Sequence, residues 1–292
     1  MNLIYGLFVV LAAGLLMAAP VGGQVPMEQS PPAGEPEPMV REAQSPINID
    51  TLLVEEVPLP DLSFMYGARV NLEVVSTSLP GEPNDEKTVR ANVPPGAGKL
   101  IIDGQTFNLL QFHWHNPGEH TLDGVGFPME MHLVHQLEEA AEPADPVAPR
   151  PDLLVVGVWI EQGRRPHREL QKIFSRLPRA GGTRMVRGFN LTRLLPEDLG
   201  SFRYMGSLTT PEFNEGVQWI VMKEFLNLSP RQIGAFGRLF PGLNGNAREV
   251  QDLNGRPIQT EQPMVEVPVV VVDVGAEPIV GAEAMAGAEV TP

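Results

Sequence analysis

The stretch "KLIIDGQTFNLLQFHWH" (residues 99–115) places the tightest constraint on how this chain can fold. Asp103-Gly104 separates two apolar runs. Both central residues of a two-residue hairpin loop must adopt positive φ, which Asp-Gly tolerates, so the pair is a strong hairpin signal. "FPMEMHLVHQL" (127–137) and "DLLVVGVWI" (152–160) also read as strands. Helical signals are few and short. "HRELQKIFSRL" places Leu170, Ile173, Phe174 and Leu177 at helical spacing after Pro166. "SPRQIGAFGRLF" offers Ser229 as N-cap and Pro230 at the first helical position. The expectation is a single, mainly β domain with two or three surface helices.

Five of the six histidines fall between residues 113 and 135. In a strand, side chains two apart share a face. Gln111, His113 and His115 therefore point one way, as do Glu130, His132 and Val134. If the two strands are neighbours, three imidazoles converge, the ligand set of a catalytic zinc site with its fourth position open. Gln111 and Glu130 are groups that can accept the remaining ring N–H of a ligating histidine. A lone His-x-His is weak and is often a satisfied core or surface pair, so spacing by itself leaves both a metal site and an ordinary polar face open. His120 and His135 fall out of phase and read as structural, hydrogen-bonded histidines. The chain has no cysteine, which excludes thiolate nucleophiles, cysteine-zinc sites and disulfides. Any metal must rely on histidine and carboxylate. The net charge of −15 argues against a nucleic-acid partner, which would need a basic face.

Leu3 to Ala19 is an uncharged apolar run ending in small residues, with no Lys or Arg before Arg41. Residues 1–23 are expected to be a cleaved secretory signal, or else an uncleaved membrane anchor. Either places the remainder outside the cytoplasm, periplasmic or secreted. Residues 24–43 are rich in Pro and Glu and read as a disordered linker, 44–259 as the folded domain, and 260–292 as a low-complexity tail. Within the tail, "VEVPVVVVDV" (265–274) reads either as a disordered or edge-packed segment or as an added edge strand or interaction surface. The acidic, Pro-rich stretches 78–87 and 138–152 read as loops. Asn190-Leu191-Thr192 is a glycosylation sequon, relevant only in a eukaryotic secretory pathway.

"QFHWHNPGEHTLDG…FPMEMHLVH" resembles the zinc-binding segment of the alpha-class carbonic anhydrases, in the short-loop form typical of bacterial members. Three other stretches resemble family motifs in the right order: "QSPINID" (44–50), "GSLTTPEFNEGVQWIV" (206–221) and "NAREVQDLNGR" (246–256). The resemblance implies a large, predominantly antiparallel, twisted central sheet of about ten strands. It also implies Zn²⁺ on His113, His115 and His132, with Gln111, Glu130 and the backbone carbonyl of Asn246 as their outer partners. Zinc lowers the pKa of bound water to about 7, giving a hydroxide that attacks CO2 to form bicarbonate. Thr209 matches the threonine that accepts the hydroxide's hydrogen bond and donates its own to Glu119. A carboxylate can only accept, so the threonine is left with lone pairs for the hydroxide. The substrate pocket implied for CO2 is Val134, Val155, Leu208, Val217 and Trp219, with Thr210.

Four departures from the family pattern stand out. Lys87 occupies the place of the proton-shuttle histidine, and lysine, with an ordinary pKa of about 10.4, is a poor relay at neutral pH. The usual "TTPP" reads Thr209-Thr210-Pro211-Glu212. "PAGEPEPMVREA" replaces the aromatic segment common upstream of the first motif. Phe213 stands where many secreted members carry a disulfide cysteine. The expectation is a zinc lyase limited by proton release. The alternatives are a binding or scaffold protein that has lost turnover, and a zinc esterase activity incidental to the same hydroxide. The partner expected is a small molecule, CO2 or bicarbonate, with no nucleic acid and no membrane beyond an N-terminal anchor; the oligomeric state is open.

Overall fold

The Asp103-Gly104 turn closes as expected, with φ of 49° and 69°, and pairs Gly98–Ile102 with Gln105–His115. The computed structural model describes residues 41–78, 87–138 and 151–262. The expected signal segment, the linker up to Val40, most of both acidic stretches and the tail beyond Gln262 lie outside the described residues. Arg41 to Ala43, at the end of the expected linker, are described: Arg41 donates to the Glu212 carbonyl and the Ala43 N–H to Glu215.

The strands in chain order are β1 (Asn48–Ile49), β2 (Val54–Val57), β3 (Ser63–Tyr66), β4 (Val70–Ser76), β5 (Val89–Asn92), β6 (Gly98–Ile102), β7 (Gln105–His115) and β8 (Thr121–Leu122). They continue as β9 (Val125–Gly126), β10 (Met129–Leu137), β11 (Leu153–Gln162), β12 (Thr183–Phe189), β13 (Ser201–Ser207), β14 (Glu215–Met222), β15 (Leu226–Leu228) and β16 (Ile258–Glu261). Thirteen of these form one sheet, with ten along its main path in the order β12-β4-β5-β7-β10-β11-β14-β13-β16-β2. The sheet is mixed: β11 runs parallel to β14 and β15, and β16 parallel to β2, while its other pairings are antiparallel. Parallel neighbours need long crossovers. The chain between β11 and β14 supplies one, passing through a helical turn, β12 and β13 before returning.

Alternation in the central strands sends side chains into two cores. Phe112, Trp114, Met131, Leu133, Val156, Val158 and Ile220 face one side, where Leu170, Ile173, Phe174 and Phe236 from the helical segments cover them. Val134, Val155, Trp159, Tyr204, Val217 and Trp219 face the other, joined by Ile47 and Ile49 from the N-terminal motif. This is why the central strands are apolar on both faces rather than alternating with polar residues.

Helix α2 (Pro230–Gly237) carries the expected cap: Ser229 and Gln232 satisfy each other's backbone N–H groups, with Pro230 at the first position. Helix α1 is shorter than its periodicity suggests, only Gln171–Phe174. Burial of Leu170, Ile173 and Phe174 docks this short turn on the core.

Candidate metal centre

β7 and β10 are antiparallel neighbours, with His113 opposite His132 and His115 opposite Glu130. The strand phase expected from the sequence therefore places all three imidazoles on one face. Their ring centroids lie 4.6–5.3 Å apart, and each offers a nitrogen within 4.8 Å of the others. All three side chains are buried.

The outward nitrogens are taken. His113 Nδ1 lies 2.9 Å from Gln111 Oε1, His115 Nδ1 3.0 Å from the Asn246 carbonyl, and His132 Nε2 2.9 Å from Glu130 Oε1. Each partner is an acceptor, so the outward nitrogen carries the proton and the inward one keeps its lone pair. His115 Nε2 is buried and has no hydrogen-bond partner. Burial, followed by the mutual charges of the cluster, holds His113 well below the ordinary histidine pKa. Burial brings His115 down to about 3 and also lowers His132. Neutral imidazoles with converging lone pairs form a donor set suited to a divalent borderline metal.

Glu130 anchors more than His132. Its Oε2 accepts the backbone N–H groups of Glu119 and His120, both at 2.8 Å, and its Oε1 also meets His120 Nδ1 at 2.7 Å. The chain continues through His120 Nε2 to the Tyr204 hydroxyl at 2.7 Å and on to Ser45 Oγ at 2.8 Å, which accepts from the Ser207 N–H. One proton arrangement satisfies every member: Ser45 donates to Tyr204, Tyr204 to His120, and His120 to Glu130. Burial pushes the Glu130 carboxyl upward, but His120 and His132 more than offset it and leave it well below the usual range. His120 is thus structural, as its phase suggests. So is His135, whose Nε2 lies 2.7 Å from the Tyr66 hydroxyl on the remote face.

Glu119 is buried beside the cluster, its Oε1 accepting the Arg248 N–H at 2.8 Å. Burial, with the Glu130 charge, holds its pKa well above the usual carboxylate range, against the opposing pull of that N–H, the Thr209 hydroxyl and the Arg248 charge. Thr209 is itself buried. Arg248 reaches from the C-terminal motif to the Ser45 carbonyl and to Gln44 Oε1, with its guanidinium 3.7 Å over the Phe213 ring. The peptides Ser45-Pro46 and Pro211-Glu212 are cis.

Cross-strand register lines up the expected substrate wall: Gln111 opposite Val134, Val134 opposite Val155, and Val155 beside Trp219. Val217 packs in the same cluster and Leu208 against it. An opening of about 320 Å³ lies at His113, lined also by Thr77, Thr88, Arg90, Gln111, Thr210 and Pro211. Thr210 lines this opening. Lys87 does not line it; its carbonyl accepts from Asn246 Nδ2 at 3.0 Å.

Sequence reasoning missed the Tyr204-Ser45 extension, the Arg248 clamp and the side chain of Asn246. Asn246 fixes its own carbonyl through bonds to Lys87, Trp114 and Asn116. Strand phase could have placed Tyr204, since it sits two residues from Gly206 and opposite Trp219.

A family model for the eukaryotic-type carbonic anhydrases matches residues 35–262. The carbonic anhydrase of Neisseria gonorrhoeae is 34% identical over 216 residues, 74% of this chain and 76% of that protein. That of Klebsiella pneumoniae is 35% identical over 218 residues, 74% and 78% of the respective chains. Among solved structures, the alpha-carbonic anhydrase of Thermovibrio ammonificans in complex with sulfanilamide superposes with a TM-score of 0.64 at 31% identity, covering 76% of this chain and 88% of its own. The matched span takes in all four motifs, and the chain belongs to the eukaryotic-type, or alpha-class, carbonic anhydrase family.

Proposed function

We propose that this protein hydrates CO2 to bicarbonate and a proton with a zinc ion held by His113, His115 and His132. Membership of the family supports the reaction. The observation that carries the metal is the buried, unpartnered His115 Nε2, facing two other inward lone pairs in a chain without cysteine. Zinc bound there would act as a Lewis acid, making water acidic enough to give hydroxide near neutral pH.

The chain's own residues supply orientation. Glu119, kept in place by the Arg248 N–H and with its Oε2 buried and unpartnered, would accept a hydrogen bond from the Thr209 hydroxyl. With its own proton committed there, Thr209 would have only lone pairs to offer a donor at the metal position. Gln111, Glu130 and the Asn246 carbonyl hold each imidazole in the tautomer a metal needs. The apolar wall of Val134, Val155, Val217 and Trp219 suits CO2, which carries no net charge and only weak acceptors. For proton release, Lys87 replaces the expected histidine, and of the residues lining the His113 opening only His113 is a histidine. Turnover is therefore limited by transfer to external buffer. The apolar N-terminal run supports export from the cytoplasm; among the described residues no helix is long and apolar enough to cross a membrane.

The test is stopped-flow CO2 hydration with metal analysis, across imidazole-type buffer concentrations, for the native protein and His132→Ala. Native protein should bind zinc and speed up with buffer, and the variant should lose both metal and rate. Full activity in a zinc-free His132→Ala protein would overturn the assignment. Rapid turnover indifferent to buffer would overturn the proton-release limit alone.

A further inference from the structure

Arg90 on β5 sits opposite His113 on β7, so the two side chains leave the same face of the sheet. Both line the 320 Å³ opening, with Gln111, Thr88 and Thr210. Among the described residues no carboxylate pairs with its guanidinium, and its Nε is buried without a hydrogen-bond partner.

We propose that Arg90 forms an anion subsite beside the metal centre, holding bicarbonate and small inorganic anions. The proposal rests on the function given above and goes beyond it. A chain of net charge −15 repels anions at long range. A guanidinium that no described carboxylate pairs with, lining this opening, reverses that field locally. Its planar donors match the oxygens of bicarbonate, whereas neutral CO2 gains nothing from the charge. The overall equilibrium constant ties kcat/KM in the two directions together, so the subsite shows itself in anion affinity and product inhibition rather than in their ratio.

The test uses cobalt(II)-substituted protein, following the visible spectrum on titration with thiocyanate, and at pH 8 with uncharged imidazole as a control. Product inhibition by bicarbonate is measured on the zinc enzyme. Arg90→Gln should weaken thiocyanate and bicarbonate binding about fivefold, the scale of one partly screened charge, and leave imidazole unaffected. Arg90→Lys should recover most of the anion affinity. Unchanged thiocyanate affinity in Arg90→Gln, or equal weakening of thiocyanate and imidazole, would overturn the subsite while leaving the proposed function intact. A native protein that takes up neither cobalt nor zinc would overturn the function itself.

Discussion

Removing the Tyr204 hydroxyl should separate the stability of the site from its metal affinity. The hydroxyl stands between His120 Nε2 at 2.7 Å and Ser45 Oγ at 2.8 Å, and both partners are fully buried. Burial lifts the phenol well above its ordinary pKa, so it remains an O–H donor at every working pH. In Tyr204→Phe, Ser45 keeps its bond from the Ser207 N–H, and the stranded group is chiefly His120 Nε2. A buried polar atom left unpaired puts the loss of unfolding free energy at about 2–3 kcal/mol. Glu130 keeps its contacts with His120 Nδ1, His132 and two backbone N–H groups, so zinc affinity should change little. Glu130→Gln, by contrast, removes the charge facing His132 and should cut affinity about 10- to 100-fold. Urea unfolding gives the first quantity and competition with a chelator the second. If Tyr204→Phe weakens zinc binding more than Glu130→Gln does, or leaves stability unchanged, the network has been read in the wrong direction.

Three further expectations can be checked on the same preparations. A Cβ on Gly206 would lie 2.1 Å from Ser45 Oγ and 2.8 Å from Tyr204 Cε2, so Gly206→Ala should cost about 3 kcal/mol or more in urea unfolding. Gly126→Ala, whose nearest contact is 4.0 Å, should cost much less. His135 is held by burial at a pKa of about 4, below its unfolded value, so the native state binds fewer protons between about pH 6.5 and 4. Its contribution is complete above that window and is lost as pH falls through it, about 3 kcal/mol in all, and the difference between native protein and His135→Gln at pH 4.5 and 7 isolates it. Lys87→His should raise CO2 hydration in weak buffer about tenfold and reduce its dependence on added imidazole; no change would show that this position is not on the proton's way out.

What could be read from the sequence was whatever strand alternation decides locally. Parity put His113 and His115 on one face of their strand and His132 on a face with Glu130, because residues two apart must share a face; that the two strands are neighbours came from the fold, and the ligand set from the resemblance. The Asp103-Gly104 turn and the Ser229 cap followed from local backbone chemistry in the same way. The parallel pairings of β11 and β16 did not, since nothing in a strand's own residues fixes which distant strand lies beside it. The side chains that orient the site were equally out of reach. Tyr204 meets His120 across 84 positions and Arg248 meets Ser45 across 203. Resemblance to a family supplied roles for Thr209 and Glu119, but it left Arg90 and the Tyr204 relay unassigned.

The long reach of Arg248 and Asn246 bears on the order in which the protein is assembled. The three imidazoles belong to one neighbouring strand pair and can gather as soon as β7 and β10 meet. The contacts of His115 with Asn246 and of Glu119 with Arg248 span 131 and 129 positions, and closing such loops delays them. During synthesis all three histidines emerge before the segment that carries Asn246 and Arg248. A nascent chain stopped short of Asn246 carries every imidazole and neither clamp, so the groups that gather an ion and the groups that align it are delivered at different times.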